Sequence, residues 1–292
     1  MTKRCHIPFG TILVVLLAAF NASADFASCE DCQTATPAIP SVEQSIQTQE
    51  QIQANLEAQI CAQYDACIPS SNCAKFLLEY VSHPAPHCGL TTFEKVSFRI
   101  YQLSGYEYIN RYLRGTYPNE SCTGVVTDLT NGLARLPSYS GRVWRNTNLP
   151  DTIRSQHSEG AVVTYSAFTS SSTARLATTM FSSRDQFLIY SQQGRTFMGV
   201  VAGEKEILFG AGTRFKVVRR KEIDGPPPST RYVMIEIVAG ESAADQRRRE
   251  RAAIRASRSD WDSPVDSTDG FTWTCPTDLN APIPASLPLS NE

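Results

Sequence analysis

The sequence has almost no excess of charge. Its 27 Lys and Arg against 29 Asp and Glu leave a formal net charge of −2, which provides no field to draw nucleic acid or an anionic membrane. Long apolar runs are also scarce. The stretch from Ile12 to Phe20 is too short to cross a bilayer, and no apolar C-terminal tail suggests a lipid anchor. Histidine is sparse, with four in all. Past residue 24 only His83, His87 and His157 remain, and none sits in a nucleophile-elbow context, so a serine hydrolase built on Ser170 lacks its base. No Asp-rich loop of the calcium-binding kind accompanies the paired acids. Cys29-x-x-Cys32 has no second pair at zinc-finger spacing. The prolines around His83, His87 and Cys88 indicate a loop in place of a metal cluster.

What is present begins with an export signal. Lys3 and Arg4 precede the apolar run, and Ala22-Ser23-Ala24 before Asp25 offers small residues at a cleavage site. The expectation is a protein secreted after cleavage near Ala24, with no stable membrane anchor. Of nine cysteines, removal of Cys5 leaves eight: Cys29, Cys32, Cys61, Cys67, Cys73, Cys88, Cys122 and Cys275. An even number in an exported chain predicts disulfides, with the connectivity left open.

Residues 25–41 are small and polar and read as a disordered leader. From Val42 to Tyr64 apolar residues recur at Ile46, Ile52, Leu56, Ile60 and Tyr64, the spacing of a helix with one thin stripe that docks on its own domain. A Cys-bearing helix over Asn72 to Val81 completes a helical region over 42–90. Thr91-Thr92-Phe93-Glu94 then offers a helix cap with a glutamate in its first turn, for a helix that breaks at Ser104-Gly105. Further helices are predicted from Tyr106 to Arg114, closed by Gly115, and from Val125 to Leu136. After Pro137 strands dominate: Arg142–Trp144, Ala161–Thr169, Gln186–Tyr190, Arg195–Val201, Glu206–Phe209, Arg214–Arg219 and Tyr232–Val238. Small helices interrupt near Thr152-Ile153 and from Ala174 to Phe181. Helices first and strands later define an α+β domain over 91–240. The rest, 241–292, reads as a solvated Arg-rich helix and a Pro- and Ser-rich tail.

Alternation puts Glu204 and Glu206 on one face of a strand, with Ile207 and Phe209 opposite Leu208, so the strand is covered on both sides. Like charges side by side point to a cationic or electron-poor ligand. Taken with Arg145 at the end of Val143-Trp144, and with Phe168-Thr169-Ser170-Ser171-Ser172, the pair resembles the Arg–Ser–Glu signature of the mono-ADP-ribosyltransferases. That family includes the clostridial binary and C3-type toxins and the vertebrate ectoenzymes. Asn110 and Arg114 match its helix with Asn and Arg four apart, and Phe181-Ser182-Ser183-Arg184 its Phe-x-x-Arg loop over the nicotinamide. The resemblance runs from Phe93 to Val238. Asn146 stands where the family has glycine, and Ser171 where it has threonine.

The resemblance implies an ADP-ribosyltransferase-like mixed β-sheet core of two packed sheets with an N-terminal helical part. It also implies a toxin-like glycosyltransferase that uses NAD⁺ as a substrate, needs no metal, and modifies an exposed arginine of an unidentified protein. Guanidiniums suit a pyrophosphate through paired, charge-assisted hydrogen bonds, so Arg145, with Arg114 and Arg184, would hold that group. Asn110 and Arg114 would hold the adenosine half, and Phe181 would pack on a ring. Glu206, oriented by Ser170, would stabilise positive charge on the ribose, and Glu204 would align the acceptor arginine. Two alternatives stand beside this reading: an NAD⁺ glycohydrolase using the same site, and a catalytically silent, disulfide-bonded binding protein.

Overall fold

The structure, a computed structural model, describes residues 42–69, 71–81, 89–181, 184–197 and 205–261. The expected signal and leader, Cys29, Cys32, Cys88, Cys275, His83, His87, Glu204 and the tail beyond Trp261 lie outside the described residues. Two compact units divide the chain, Met1–Ile52 and Gln53–Glu292. The described part of the first is the opening of helix α1 (Val42–Cys67). No helix among the described residues is long and apolar enough to cross a membrane.

The apolar stripe predicted along α1 is covered only toward its C-terminal end. Tyr64 is buried, whereas Ile52 and Leu56 are exposed. Two disulfides supply the connectivity that sequence left open: Cys61–Cys73 joins α1 to α2 (Cys73–Val81), and Cys67–Cys122 joins α1 to α5 (Cys122–Arg135). Helix α3 (Thr92–Ile100) starts at the expected cap, which is a capping box. Thr91 Oγ1 accepts the Glu94 N–H at 3.2 Å, and Glu94 Oε2 accepts the Thr91 N–H at 2.7 Å.

The predicted break at Ser104-Gly105 is instead a π-helical segment, Tyr101–Gly105, running on into α4 (Tyr106–Leu113). Gly105 is needed there: an added Cβ would lie 2.7 Å from Ile100 Cγ2 and 2.8 Å from its carbonyl oxygen. The segment keeps a hydrogen-bonded path where a plain α-helix would clash. These helices bury Ile68, Val96, Phe98, Tyr101 and Leu129 against Phe168 and Leu208 of the strand region.

Seven strands follow: β1 (Ser138–Thr147), β2 (Val162–Tyr165), β3 (Thr169–Ser172), β4 (Asp185–Phe197), β5 (Glu206–Phe209), β6 (Thr213–Ile223) and β7 (Ser229–Glu236). The serine run is thus a strand of its own and not the end of the one before it. The two strands expected at 186–190 and 195–201 are one long β4. The order is β1-β3-β5-β4-β7-β6-β2, with β1 also paired to β4. All pairs are antiparallel except β4 with β7.

The early part of β4 pairs with β1 and β7, while Arg195–Phe197 pair with β5. One strand therefore serves two ladders, β1-β4-β7-β6-β2 and β1-β3-β5-β4, and the two sheets expected from the resemblance are joined through it. Ile207 and Phe209 of the second ladder pack with Val143, Ile189, Phe215 and Met234 of the first. Leu208 turns to the helices, so β5 is covered on both faces as alternation requires.

The corner in β4 is held by a buried carboxylate. Glu236 Oε2 accepts the Gln192 and Gln193 N–H groups at 2.7 and 2.8 Å. Gly194 completes the corner, since a Cβ there would lie 2.7 Å from Ile207 Cγ2. At the other end of β4, fully buried Asp185 is gripped by Arg154 of α6 (Asp151–Arg154) at 2.9 and 2.7 Å. Burial by itself would raise the Asp185 carboxyl, but Arg154 and the Leu149 N–H hold it below its ordinary value. Beside it lies His157, whose Nδ1 meets the Ile153 carbonyl and whose Nε2 meets the Tyr165 hydroxyl, each at 2.8 Å. Helix α7 (Arg175–Thr178) and α8 (Ala243–Asp260) complete the fold. Along α8, Ala253 and Ser257 face inward while Arg247, Arg251 and Arg255 are exposed, the solvated helix expected.

Replacing Cys67 and Cys122 together by alanine should cost about 2–5 kcal/mol of stability, the usual worth of a native disulfide in a small domain. Denaturant titration of the oxidised protein and of the double variant measures it. A second expectation concerns pH. Burial holds the His157 imidazole below its ordinary 6.5, and the charge of Arg220 adds to this against the opposing Ile153 carbonyl and Asp185. The folded protein thus binds this proton less readily than the unfolded chain. Stability is intact above about 6.5 and falls as the pH drops below it. His157→Gln should flatten that slope in melts recorded between pH 7 and pH 5.

Candidate active site

Arg145 stands on β1 opposite Phe187, on the same face as Val143. Its Nη1 crosses to β3 and donates to the Ser170 carbonyl oxygen at 2.6 Å. β3 is set against β5 in antiparallel register, Ser170 opposite Leu208 and Ser172 opposite Glu206. Period-two alternation therefore puts Ser170, Ser172, Glu206 and Leu208 on one face, toward the helices. Ser171 points the other way and donates to the Ile207 carbonyl at 2.8 Å. Glu206 is buried at 8% exposure. Lys205, just before it, adopts the left-handed region at φ 43°, which few non-glycine residues occupy. The Lys205 carbonyl accepts the Thr173 N–H at 3.1 Å, so the start of β5 is tied to the end of β3.

From the helical side two residues not singled out by sequence meet this face. Tyr101 is buried, packs edge-on to Phe168, and accepts the Asn110 Nδ2–H at 3.2 Å. Desolvation pushes its phenol up to about 12; hydrogen bonds from Ser170 and Asn110 and the charge of Arg145 oppose the shift, and the charge of Glu206 adds to it. The phenol is thus hydrogen-bonded to Asn110 and Ser170 and feels the charges of Glu206 and Arg145. Gln102, the next residue, donates from Nε2 to Glu206 Oε2 at 3.3 Å.

The π-helical segment explains why helical periodicity missed them. In an uninterrupted α-helix, at about 100° per residue, Tyr101 and Asn110 would fall on opposite sides. The extra residue of the π turn takes out about one such step, which brings them together. An aromatic-rich helix with a Ser-Gly interruption before Asn110 is the signal available in the sequence. Ser172 was passed over because its role rests on register, which sequence does not carry.

Two cations converge here. Arg114, the C-cap residue of α4, is held below its ordinary value first by desolvation and second by the charge of Arg145, with Tyr101 opposing. Asn110 is buried, and its Oδ1 meets no hydrogen-bond donor among the described residues. Asn146 reaches from β1 to the Thr178 carbonyl of α7 at 3.1 Å. The structure thus brings Asn110, Arg114, Arg145, Ser170 and Glu206 together. Phe181 is 55% exposed just beyond α7. Arg184 lies at the surface, where its Nη2 donates to Asp151 Oδ1 at 3.1 Å. Glu204 lies outside the described residues.

No protein-family model matches the chain. The Tre1 protein of Pseudomonas putida (strain GB-1), named an NAD⁺–protein-arginine ADP-ribosyltransferase, is 37% identical over 120 residues, 40% of this chain and 24% of Tre1. Tre1 of Serratia proteamaculans (strain 568), of the same name, is 35% identical over 127 residues, 41% of this chain and 27% of that protein. The Mav protein of Mycobacterium avium (strain 104) is 36% identical over 160 residues, 53% of this chain. The chain spans 19% to 27% of the length of these relatives. Among solved structures, the Vis toxin of Vibrio splendidus overlaps with a TM-score of 0.47 at 22% identity, over 59% of this chain and 85% of that one. In sequence, then, the chain is similar over 40% to 53% of its length to proteins named arginine ADP-ribosyltransferases.

Proposed function

We propose that this protein transfers ADP-ribose from NAD⁺ to an arginine side chain of another protein, releasing nicotinamide. The observation that carries the reading is the meeting of Arg145, Arg114, Asn110, Ser170 and Glu206 around the Tyr101 phenol. The residues fit the substrate. Two guanidiniums close enough for one to depress the other would be relieved by a shared anion such as a pyrophosphate. The donorless Asn110 Oδ1 suits an amine or hydroxyl of the nucleoside.

Arg145 and Arg114 bind and orient the diphosphate, and Asn110 the adenosine half. Glu206, buried and therefore acting through a low dielectric, holds negative charge beside the ribose, where positive charge grows as the nicotinamide bond lengthens. Tyr101 and the helical layer exclude water from the same face. Glu204, two residues before Glu206, aligns the acceptor guanidinium and draws off its proton as it attacks. Phe181, exposed at the end of α7, and Arg184, at the surface, serve as contacts made when substrate binds, the first over the nicotinamide.

The protein is exported by cleavage near Ala24. Residues 91–240 form the catalytic domain, and the target is a protein with an exposed arginine. Eight cysteines past the cleavage point, two pairs of them bridged among the described residues, support an oxidising destination.

Incubating the purified protein with labelled NAD⁺ and a cell lysate tests the activity. Labelled protein bands that hydroxylamine removes are expected, since that reagent releases arginine-linked ADP-ribose. Free ADP-ribose with no labelled band would favour the glycohydrolase. Glu206→Gln should lower nicotinamide release by about a hundredfold or more, the scale of one removed electrostatic stabiliser. Glu204→Gln should abolish transfer to arginine while most NAD⁺ hydrolysis survives, measured as labelled acceptor against free nicotinamide. Full transfer by that variant would refute the role given to Glu204.

A further inference from the structure

A carboxylate that must face a ribose has to have its plane set, and nothing within a glutamate side chain sets it. The last torsion of Glu is broad and roughly two-fold. Glu206 is the first residue of β5, so the strand fixes its Cβ direction but not its oxygens. The hydrogen bond from Gln102 Nε2 to Glu206 Oε2, 3.3 Å long and spanning 104 residues of sequence, supplies that constraint.

The structure assigns Gln102 as the positioning residue for Glu206: its amide N–H fixes Oε2, and with it the direction of the other carboxylate oxygen. The assignment rests on the reading of Glu206 as the carboxylate that meets the ribose. Two features favour it over chance contact. First, Gln102 sits in the π-helical segment, Tyr101–Gly105, a rare distortion that is frequent at functional sites. The wider turn lets consecutive residues, Tyr101 and Gln102, both serve the face carrying Ser170 and Glu206. Gly105 is the residue whose missing Cβ permits the turn, 2.7 Å from Ile100 Cγ2.

Second, the donor is neutral. A lysine or arginine would orient the carboxylate equally well but would cancel the negative charge needed against a developing cation. An amide orients it and leaves the charge in place. Other groups of the described residues also neighbour Glu206. Tyr101 adjoins Gln102 on the π segment, Ser172 lies opposite on β3, and non-titrating Phe197 is its register partner on β4. Arg145 acts from β1 by charge around the shared phenol, with Arg114 beyond it on α4. Lys205 and Glu204 precede it in the chain.

The test is the pH profile of nicotinamide release by the purified full chain, for the native protein and for Gln102→Leu, Gln102→Lys, Gln102→Glu and Glu206→Gln. Gln102→Leu should lower kcat about tenfold, the worth of one hydrogen bond to a charged group, with KM for NAD⁺ within about twofold. Its acid limb should move to higher pH, because the ionised carboxylate loses a donor. Gln102→Glu should move the limb further up by like charge. Gln102→Lys should move it down, with kcat still low because the charge is paired. A purely structural role would lower kcat in all three without ordering the limbs by the sign of the new group. Thermal melts identify any variant that fails to fold, and the ordering is then read from the remaining two. Coincident acid limbs, or losses confined to KM, would overturn the assignment. Native-like turnover in Glu206→Gln would instead overturn the reading of Glu206. An inactive Glu206→Gln with unshifted limbs in the Gln102 variants would sink the positioning role alone.

Discussion

Strand β4 belongs to two ladders at once, and a strand can do that only if it turns a corner without leaving buried amides unmet. The carboxylate of Glu236 meets that need by accepting the N–H groups of Gln192 and Gln193. Gly194 gives the backbone room to pass under Ile207 and Phe209. Before the corner β4 pairs with β1, which carries Arg145. After it β4 pairs with β5, which carries Glu206. The cation and the carboxylate are neighbours because of this corner. An unmet buried amide costs about 1–3 kcal/mol, so the corner could not persist on packing alone.

The helical layer closes the site from the other side. Its disulfides lock α1 to α2 and to α5, and α3 leads through the π turn into α4. Tyr101 therefore enters as a rigid wall and carries a phenol into contact with Ser170 and Asn110. In so closed a setting charges act strongly on one another. Arg114 feels Arg145, and Tyr101 feels both Glu206 and Arg145. A site that brings two cations and a buried carboxylate near one another is costly to build without a ligand to balance it, which is the physical case for the binding site proposed above.

Much of this was legible in the residues. The helix cap at Thr91, the extent of β5 and the two-sided burial of Ile207, Leu208 and Phe209 follow from local chemistry and alternation, and the motif order from Asn110 to Glu206 from the family resemblance. The missed features share one cause. Gln186–Tyr190 and Arg195–Phe197 look like two strands because a corner interrupts their alternation, yet Glu236, far along the chain, makes them one. Ser170 to Ser172 look like a cap because serine has weak strand preference, yet pairing on β1 and β5 overrides it.

The sequence by itself determined the types of residue at the site, the order in which they come, and the face on which each strand residue lies, since alternation and capping depend only on near neighbours. The tertiary structure decided which of them meet. The corner in β4, the register of Ser172 against Glu206, and the π turn that turns Tyr101 and Gln102 toward that pair all depend on contacts between residues far apart in the chain. Such contacts become favourable only once the two ladders and the helical layer have closed on one another.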